Sequence, residues 1–215
     1  MNLEGIEIKW LGHASFKITT NKKNIYIDPF KVPANKDADY ILITHPHYDH
    51  CSLEDLQKIV KDGTKIIMQA DCQSKILRLD NKIDMRIISI GKIMKSVDLE
   101  IEAVPAYNLN KEFHPKNQEW LGFILTLQGK KIYHAGDTDL IPEMSALATK
   151  KIDIAFLPVS GTYVMTAEEA ANAAVKIKPK LAVPMHYASI VGNENDAEKF
   201  ITLCKQKGIN AQKIK

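Results

Sequence analysis

Short apolar stretches and polar turns alternate from the first residues of the chain. Ile6, Ile8 and Trp10 stand at every second position, followed by Phe16 and Ile18 and then by Ile25 and Ile27, with Gly or Asn between the runs. A period of two puts alternate side chains on one face of a pleated ribbon, so these runs predict a β-meander. Residues 40–43 read YILI, a continuous apolar run expected of a buried strand. The pattern then changes to a helical one over LEDLQKIVK. Ser52 is the candidate N-cap, Glu54 and Asp55 lie in the first turn, and Lys61 and Gly63 mark the end. Further strands are predicted over 65–70, 85–90, 97–106, 121–127, 131–136, 154–159 and 181–186. Helices are predicted at PEMSALAT, at TAEEAANAAVKI with Thr166 and Glu169 as a capping box and Pro179 as a stop, and at DAEKFITLCKQK closed by Gly208. Each helix has one apolar stripe to bury. The expectation is an α/β (α+β) chain with two sheets packed face to face and helices outside, in one domain over 1–215.

Composition narrows the functional classes. A chain of 215 residues with 45% hydrophobic positions can bury one sizeable core. Its 29 Lys+Arg against 26 Asp+Glu leave a formal charge of only +3, and the lysines are spread rather than clustered, which gives no nucleic-acid footprint. Cys51, Cys72 and Cys204 are odd in number and lack any Cys-x-x-Cys spacing, which argues against a disulfide framework or a thiolate cage and for a reducing cytoplasm. The start MNLEGIEIKW has no apolar leader core, and no run approaches the length of a membrane span, so neither secretion nor a membrane partner is expected.

One segment stands apart. Residues 44–50 read THPHYDH, which puts three of the chain's seven histidines and an aspartate within six positions, between a buried strand and a capped helix. Imidazole nitrogen and carboxylate oxygen are the donors that Zn²⁺, Mn²⁺ and Fe accept, and Pro46 stiffens the turn that carries them. A solvated polar loop is the bland alternative, but it commonly explains one histidine rather than this density. Completing two coordination spheres requires more donors at the ends of later strands. Asp137 follows a strand behind Gly136, His186 ends another, and His114 lies in an irregular segment between strands.

The pattern resembles the metallo-β-lactamase fold superfamily. The signature His-x-His-x-Asp-His stands here as His45, His47, Asp49 and His50, and the later single ligands match Asp137 in GDT and His186 in PMH. The phrases WLGHASFKI, VPAYN, YHAGDTD, LPVSGTYVM and PMHY look like the branch of L-ascorbate-6-phosphate-lactonase-like metal-dependent hydrolases. The resemblance covers nearly the whole chain and implies a four-layer αββα sandwich of two mixed sheets. It also implies two divalent ions, zinc first with manganese or iron as alternatives. His45, His47 and a third histidine would hold one ion, Asp49, His50 and His186 the other, and Asp137 would bridge them. Many relatives carry the third histidine directly after the Pro-Ala-aromatic step, where this chain has Asn108. His114 is favoured for the role, with Asn108 or water as the alternative.

A binuclear site of this kind holds water between the ions, lowers its pKa and presents hydroxide to an electrophile. Hydrolysis of an ester, lactone or phosphodiester of a small molecule is therefore expected, with Asp49 either a ligand alone or also the acceptor of the nucleophile's proton. His13 and His134 are candidates for hydrogen bonds that orient the ligands. Tyr107, Asn108 and Tyr187 are candidate substrate contacts with Lys111 beside them, although aromatic packing explains the tyrosines equally well. The turn at Gly161, Thr162 and Tyr163 is expected to line the cleft, and Cys51 to be a small buried residue under the loop. Phosphodiester and nuclease chemistry ranks second for want of a basic stripe. Iron-dependent oxygen or persulfide chemistry, or a metal-binding module without catalysis, are readings from other classes. A homo-oligomer is compatible with all of them.

Overall fold

Seven strands hydrogen-bond in chain order into the first sheet of the computed structural model, which describes residues 1–20 and 23–214. They are β1 (Asn2–Leu3), β2 (Ile6–Gly12), β3 (Ser15–Thr20), β4 (Lys23–Ile27), β5 (Tyr40–Ile43), β6 (Lys65–Met68) and β7 (Asp84–Ile87). The first four pair antiparallel as the meander predicts, and β4 to β7 pair parallel, so the sheet is mixed. Parallel neighbours on both sides explain why β5 is a continuous apolar run rather than an alternating one.

This sheet belongs to a unit of residues 1–89 joined by Ile214. Its core is legible in the spacing of two helices, α1 (Leu53–Ile59) and α2 (Gln73–Ile76). Leu56, Ile59 and Val60 from α1 and its cap, with Cys72, Ile76 and Leu79 from around α2, pack on Ile41 and Ile43 of β5 and Ile66 and Met68 of β6. Period-two and helical positions thus meet on one face of the sheet. Truncating any of the fully buried members to Ala should cost about 2–5 kcal/mol.

The second unit spans 90–213. Its strands are β8 (Ile93–Lys95), β9 (Glu100–Pro105), β10 (Leu121–Leu127), β11 (Lys130–His134), β12 (Ile154–Pro158) and β13 (Leu181–Met185), in the order β13-β12-β11-β10-β9-β8. β11, β12 and β13 are parallel and the rest antiparallel. The β10–β11 hairpin turns on Gln128 and Gly129, both at positive φ (50° and 76°), as a two-residue turn requires. α3 (Ala167–Ile177) carries the capping box read from Thr166 and Glu169, and its buried Ala170, Ala171, Ala173 and Ala174 let it pack on β12. α4 (Glu194–Gln206) packs on α3 and β13.

Three local expectations change. Residues 142–150 wind as a 3-10 helix rather than an α-helix. Their buried positions, Ile141, Met144 and Leu147, recur every three residues, the period a 3-10 turn aligns. The run 97–106 is a strand only from Glu100. Val97 is fully exposed, and a turn closed by Ser96 N donating to Leu99 O (2.8 Å) separates β9 from the unforeseen edge strand β8. The run at 65–70 ends at Met68, where Gln69 caps a 3-10 turn leading into α2.

Asp55 shows how α1 is anchored. Ser52 Oγ donates to its Oδ2 (2.7 Å), while Val32 N (3.1 Å) and Lys58 Nζ (3.0 Å) donate to Oδ1. Burial opposes the charge, but these donors outweigh it and hold the carboxyl below the usual carboxylate range. A depressed folded pKa supplies stability that is present above about pH 4 and fades as pH falls through the folded value. Asp55→Asn should therefore cost about 1–3 kcal/mol at pH 7. In urea titrations the gap from the parent should shrink at pH 3, and a gap independent of pH would show that ionisation is not its source.

Candidate metal centre

The loop leaving β5 is organised around a residue the sequence did not single out. Asp28, fully buried at the end of β4, accepts at Oδ1 from Thr44 N (2.8 Å) and at Oδ2 from Thr44 Oγ1 (2.7 Å) and His50 Nδ1 (2.8 Å). The Thr44 hydroxyl, committed as donor to Asp28, accepts in turn from His45 Nδ1 (2.9 Å). One carboxylate thereby sets the tautomer of two histidines, turning the Nε2 of each inward. His45 Nε2 lies 3.0 Å from His47 Nδ1, and His50 Nε2 lies 3.5 Å from Asp49 Oδ2. His50 N and Cys51 N both donate to His47 O, which closes the loop into a tight turn.

His13 reaches the same cluster from the turn between β2 and β3. Its Nε2 donates to Asp49 Oδ2 at 2.9 Å, and donor atoms of His13, Asp49 and His50 lie within 4.8 Å of one another. The rings of His45 and His50 lie against each other at a tilt of 44°, with centroids 4.1 Å apart. His13, His45 and His50 are buried, while His47 and Asp49 are partly open.

The second unit carries a set built on the same scheme. Asp137 is buried, and its Oδ2 lies 3.0 Å from His186 Nε2 and 3.3 Å from His114 Nε2. The opposite nitrogen of each ring is held: His186 Nδ1 lies 3.0 Å from Ser160 Oγ, and His114 Nδ1 lies 3.0 Å from Asn108 Oδ1. Asn108 Oδ1 also accepts from His114 N (3.1 Å), and its Nδ2 donates to Tyr163 O (3.0 Å). The amide expected to be either a ligand or a substrate contact is spent at both ends on holding His114. Gly136 brings Asp137 in. It sits at φ 64°, and a Cβ there would come within 2.4 Å of Leu121 O.

The segments bearing His114 and Asp137 are stitched together by Thr138 and Asp139. Tyr107 N donates to Thr138 Oγ1 (3.2 Å), Asp139 N to Tyr107 O (2.9 Å) and Leu109 N to Asp139 Oδ2 (2.8 Å), with Lys111 paired to Asp139. Other expected residues have structural duties. Tyr107 is buried and its hydroxyl donates to Glu143 (2.9 Å). Tyr187 is buried too, and burial, followed by the charge of Glu194, pushes its phenol up to about 12. His134 Nδ1 accepts from Gly136 N (3.2 Å), which shapes the turn ahead of Asp137. Cys51 is buried among the α1 and α2 side chains.

Two backbones are strained at the donors themselves: His13 and His186 sit at φ 51° and 59°, in the left-handed region. Imidazole and carboxylate donors, with the far side of the rings fixed by buried acceptors, fit a divalent transition ion. Asp28→Asn and Asn108→Ala should each weaken divalent-ion affinity about 10–100-fold while leaving the circular-dichroism spectrum unchanged. Competition against a chromogenic chelator measures this, and parental affinity in both variants would sink the account of the fixed tautomers.

Comparison with known proteins agrees with this chemistry. A β-lactamase superfamily domain matches residues 7–186. A UPF0173 metal-dependent hydrolase from Thermococcus onnurineus is 35% identical over 94% of this chain and 93% of its own, and one from Pyrococcus abyssi is 36% identical over 94% and 93%. Among solved structures, a Parabacteroides distasonis protein is 34% identical with a TM-score of 0.83, covering 97% of this chain and 92% of its own. The metallo-β-lactamase fold protein YhfI from Bacillus subtilis shares the fold at 11% identity, with a TM-score of 0.76 over 98% of this chain and 96% of its own. Two mixed sheets with helices, a matching domain over most of the length and relatives above 30% identity place the chain in the UPF0173 metal-dependent hydrolases of the metallo-β-lactamase superfamily.

Proposed function

We propose that the Asp49 set and the Asp137 set serve one binuclear centre that hydrolyses an ester, lactone or phosphodiester bond of a small molecule in the cytoplasm. The observation that carries the reading is the repeated scheme. In the first set Asp49 faces the Nε2 of His50, whose Nδ1 is fixed by Asp28; in the second Asp137 faces the Nε2 atoms of His114 and His186, whose Nδ1 atoms are held by Asn108 and Ser160. Such locking of ring orientation is the device that metal-ligating histidines share.

In this reading His45, His47 and His114 would hold one ion, Asp49, His50 and His186 would hold the second, and Asp137 would serve both. Zinc is the first choice for this nitrogen-rich set, with manganese and iron as the alternatives. The ions supply Lewis acidity, acidifying water and polarising the oxygen of the bond to be cleaved. The chain supplies orientation and proton handling. His13 donates to Asp49 Oδ2 and so commits that oxygen, leaving Oδ1 as the one to take the nucleophile's proton. Asp28 and Thr44 prevent His45 and His50 from turning over as that charge moves.

Elemental analysis of purified protein should find two equivalents of divalent metal per chain, and chelation should abolish cleavage across a panel of esters, lactones and phosphodiesters. Asp137→Ala should lower the metal count and cut turnover by more than about a hundredfold, beyond what loss of an orienting partner costs. Full turnover in that variant would refute the shared role of Asp137. Iron content with oxygen consumption and no cleavage would move the protein to redox chemistry.

A further inference from the structure

A second feature of the first unit lies next to the THPHYDH loop and has no part in holding ions. It is a pocket of about 390 Å³ whose wall includes Phe30, Lys31, Tyr48, Lys58, Lys75 and Arg78. The same wall carries Glu54 and Asp55, but both are committed. Lys58 Nζ pairs with Glu54 (2.9 Å) and Asp55 (3.0 Å), and Asp55 also accepts from Ser52 and Val32. Lys31, Lys75 and Arg78 pair with no carboxylate among the described residues. Lys58 offsets only one of the two carboxylate charges, so four cations against two acids leave the wall with a net charge of plus two. Three unmatched cations on one concave wall repel one another, and an anion would relieve that repulsion.

Two of the three are held in place. The Lys75 ammonium donates to Pro46 O, the carbonyl between His45 and His47, and Lys31 lies over the Phe30 ring at 5.1 Å. Phe30 meets Tyr48 edge to face with centroids 5.9 Å apart. Tyr48 stands between His47 and Asp49 in the loop and is 62% exposed, an aromatic face presented to solvent beside the cations. A molecule seated here would meet charge at one end and a ring next to the metal loop at the other.

We infer that this pocket is a subsite for a phosphate-type dianion, matched to the wall's net charge of plus two and recognised by Lys31, Lys75 and Arg78. The identification of the ligand as part of the hydrolysed molecule rests on the proposed function; the binding of the anion does not. Inorganic phosphate should bind the metal-loaded protein saturably at low ionic strength and more weakly at high salt. Because Lys75 also supports the metal loop, the deciding variant is Lys31→Met/Arg78→Met. It should keep the parental metal content and weaken phosphate at least about tenfold. Lys205→Met, at an exposed position of α4, should bind as the parent does. Two arms separate the sources. If the phosphate is a substituent of the substrate, the double variant raises KM for a phosphorylated ester and not for its unphosphorylated counterpart, with kcat within twofold. If it is free phosphate acting as an effector, phosphate alters the rate of the unphosphorylated ester in the parent and not in the variant. Absence of saturable binding, unchanged affinity in the double variant, or complete loss of binding on chelation would each overturn the subsite. Loss on chelation would put the phosphate on the ions instead. Failure to find metal or turnover would defeat the proposed function while leaving the phosphate titration to be judged on its own.

Discussion

A buried carboxylate with three donors around it governs the histidine set of the first unit. Asp28 has no exposure, and an isolated charge there would be expensive to desolvate, so its position depends on the Thr44 amide, the Thr44 hydroxyl and the His50 ring all facing it. The dependence runs the other way as well. Without a fixed acceptor, His50 and His45 could each present either ring nitrogen, and a ligand set that samples several tautomers binds an ion weakly. β4 and β5 are adjacent parallel strands, and their register is what sets Asp28 beside Thr44.

The second unit reaches the same result with neutral groups. Asn108 and Ser160 stand where Asp28 and Thr44 stand in the first, and Asp137 is the one carboxylate facing both rings. This distribution keeps a negative charge on the inner side of His114 and His186 and a dipole on the outer side. In the first unit negative charge lies on both sides of His50, with Asp28 at Nδ1 and Asp49 near Nε2.

The sequence made the donors visible and hid what orients them. THPHYDH is dense enough to be read without a structure, and Asp137 and His186 follow strands closely enough to be suspected. The capping boxes and the strand runs were equally plain because both depend on neighbours within a few positions. Asp28 was missed because a lone Asp before Pro29 reads as an ordinary strand end; its partners are 16 and 22 residues away and appear only when β4 and β5 pair. Asn108 was visible in the sequence, but its bond to His114 was not. Its place after the Pro-Ala-Tyr step suggested a ligand or a substrate contact, and the structure adds hydrogen bonds between its side-chain oxygen and His114. The period of three over Ile141, Met144 and Leu147 was present in the sequence but was read as a short helix of ordinary pitch.

The left-handed backbone at His13 and His186 has a bearing on how this fold would respond to selection. Glycine or asparagine would relax both positions, so a screen for heat resistance alone would tend to replace two imidazoles and reward the loss. Robustness and chemistry compete at those two points on the chain. A lineage that keeps histidine at both is one in which the chemistry has been the stronger demand.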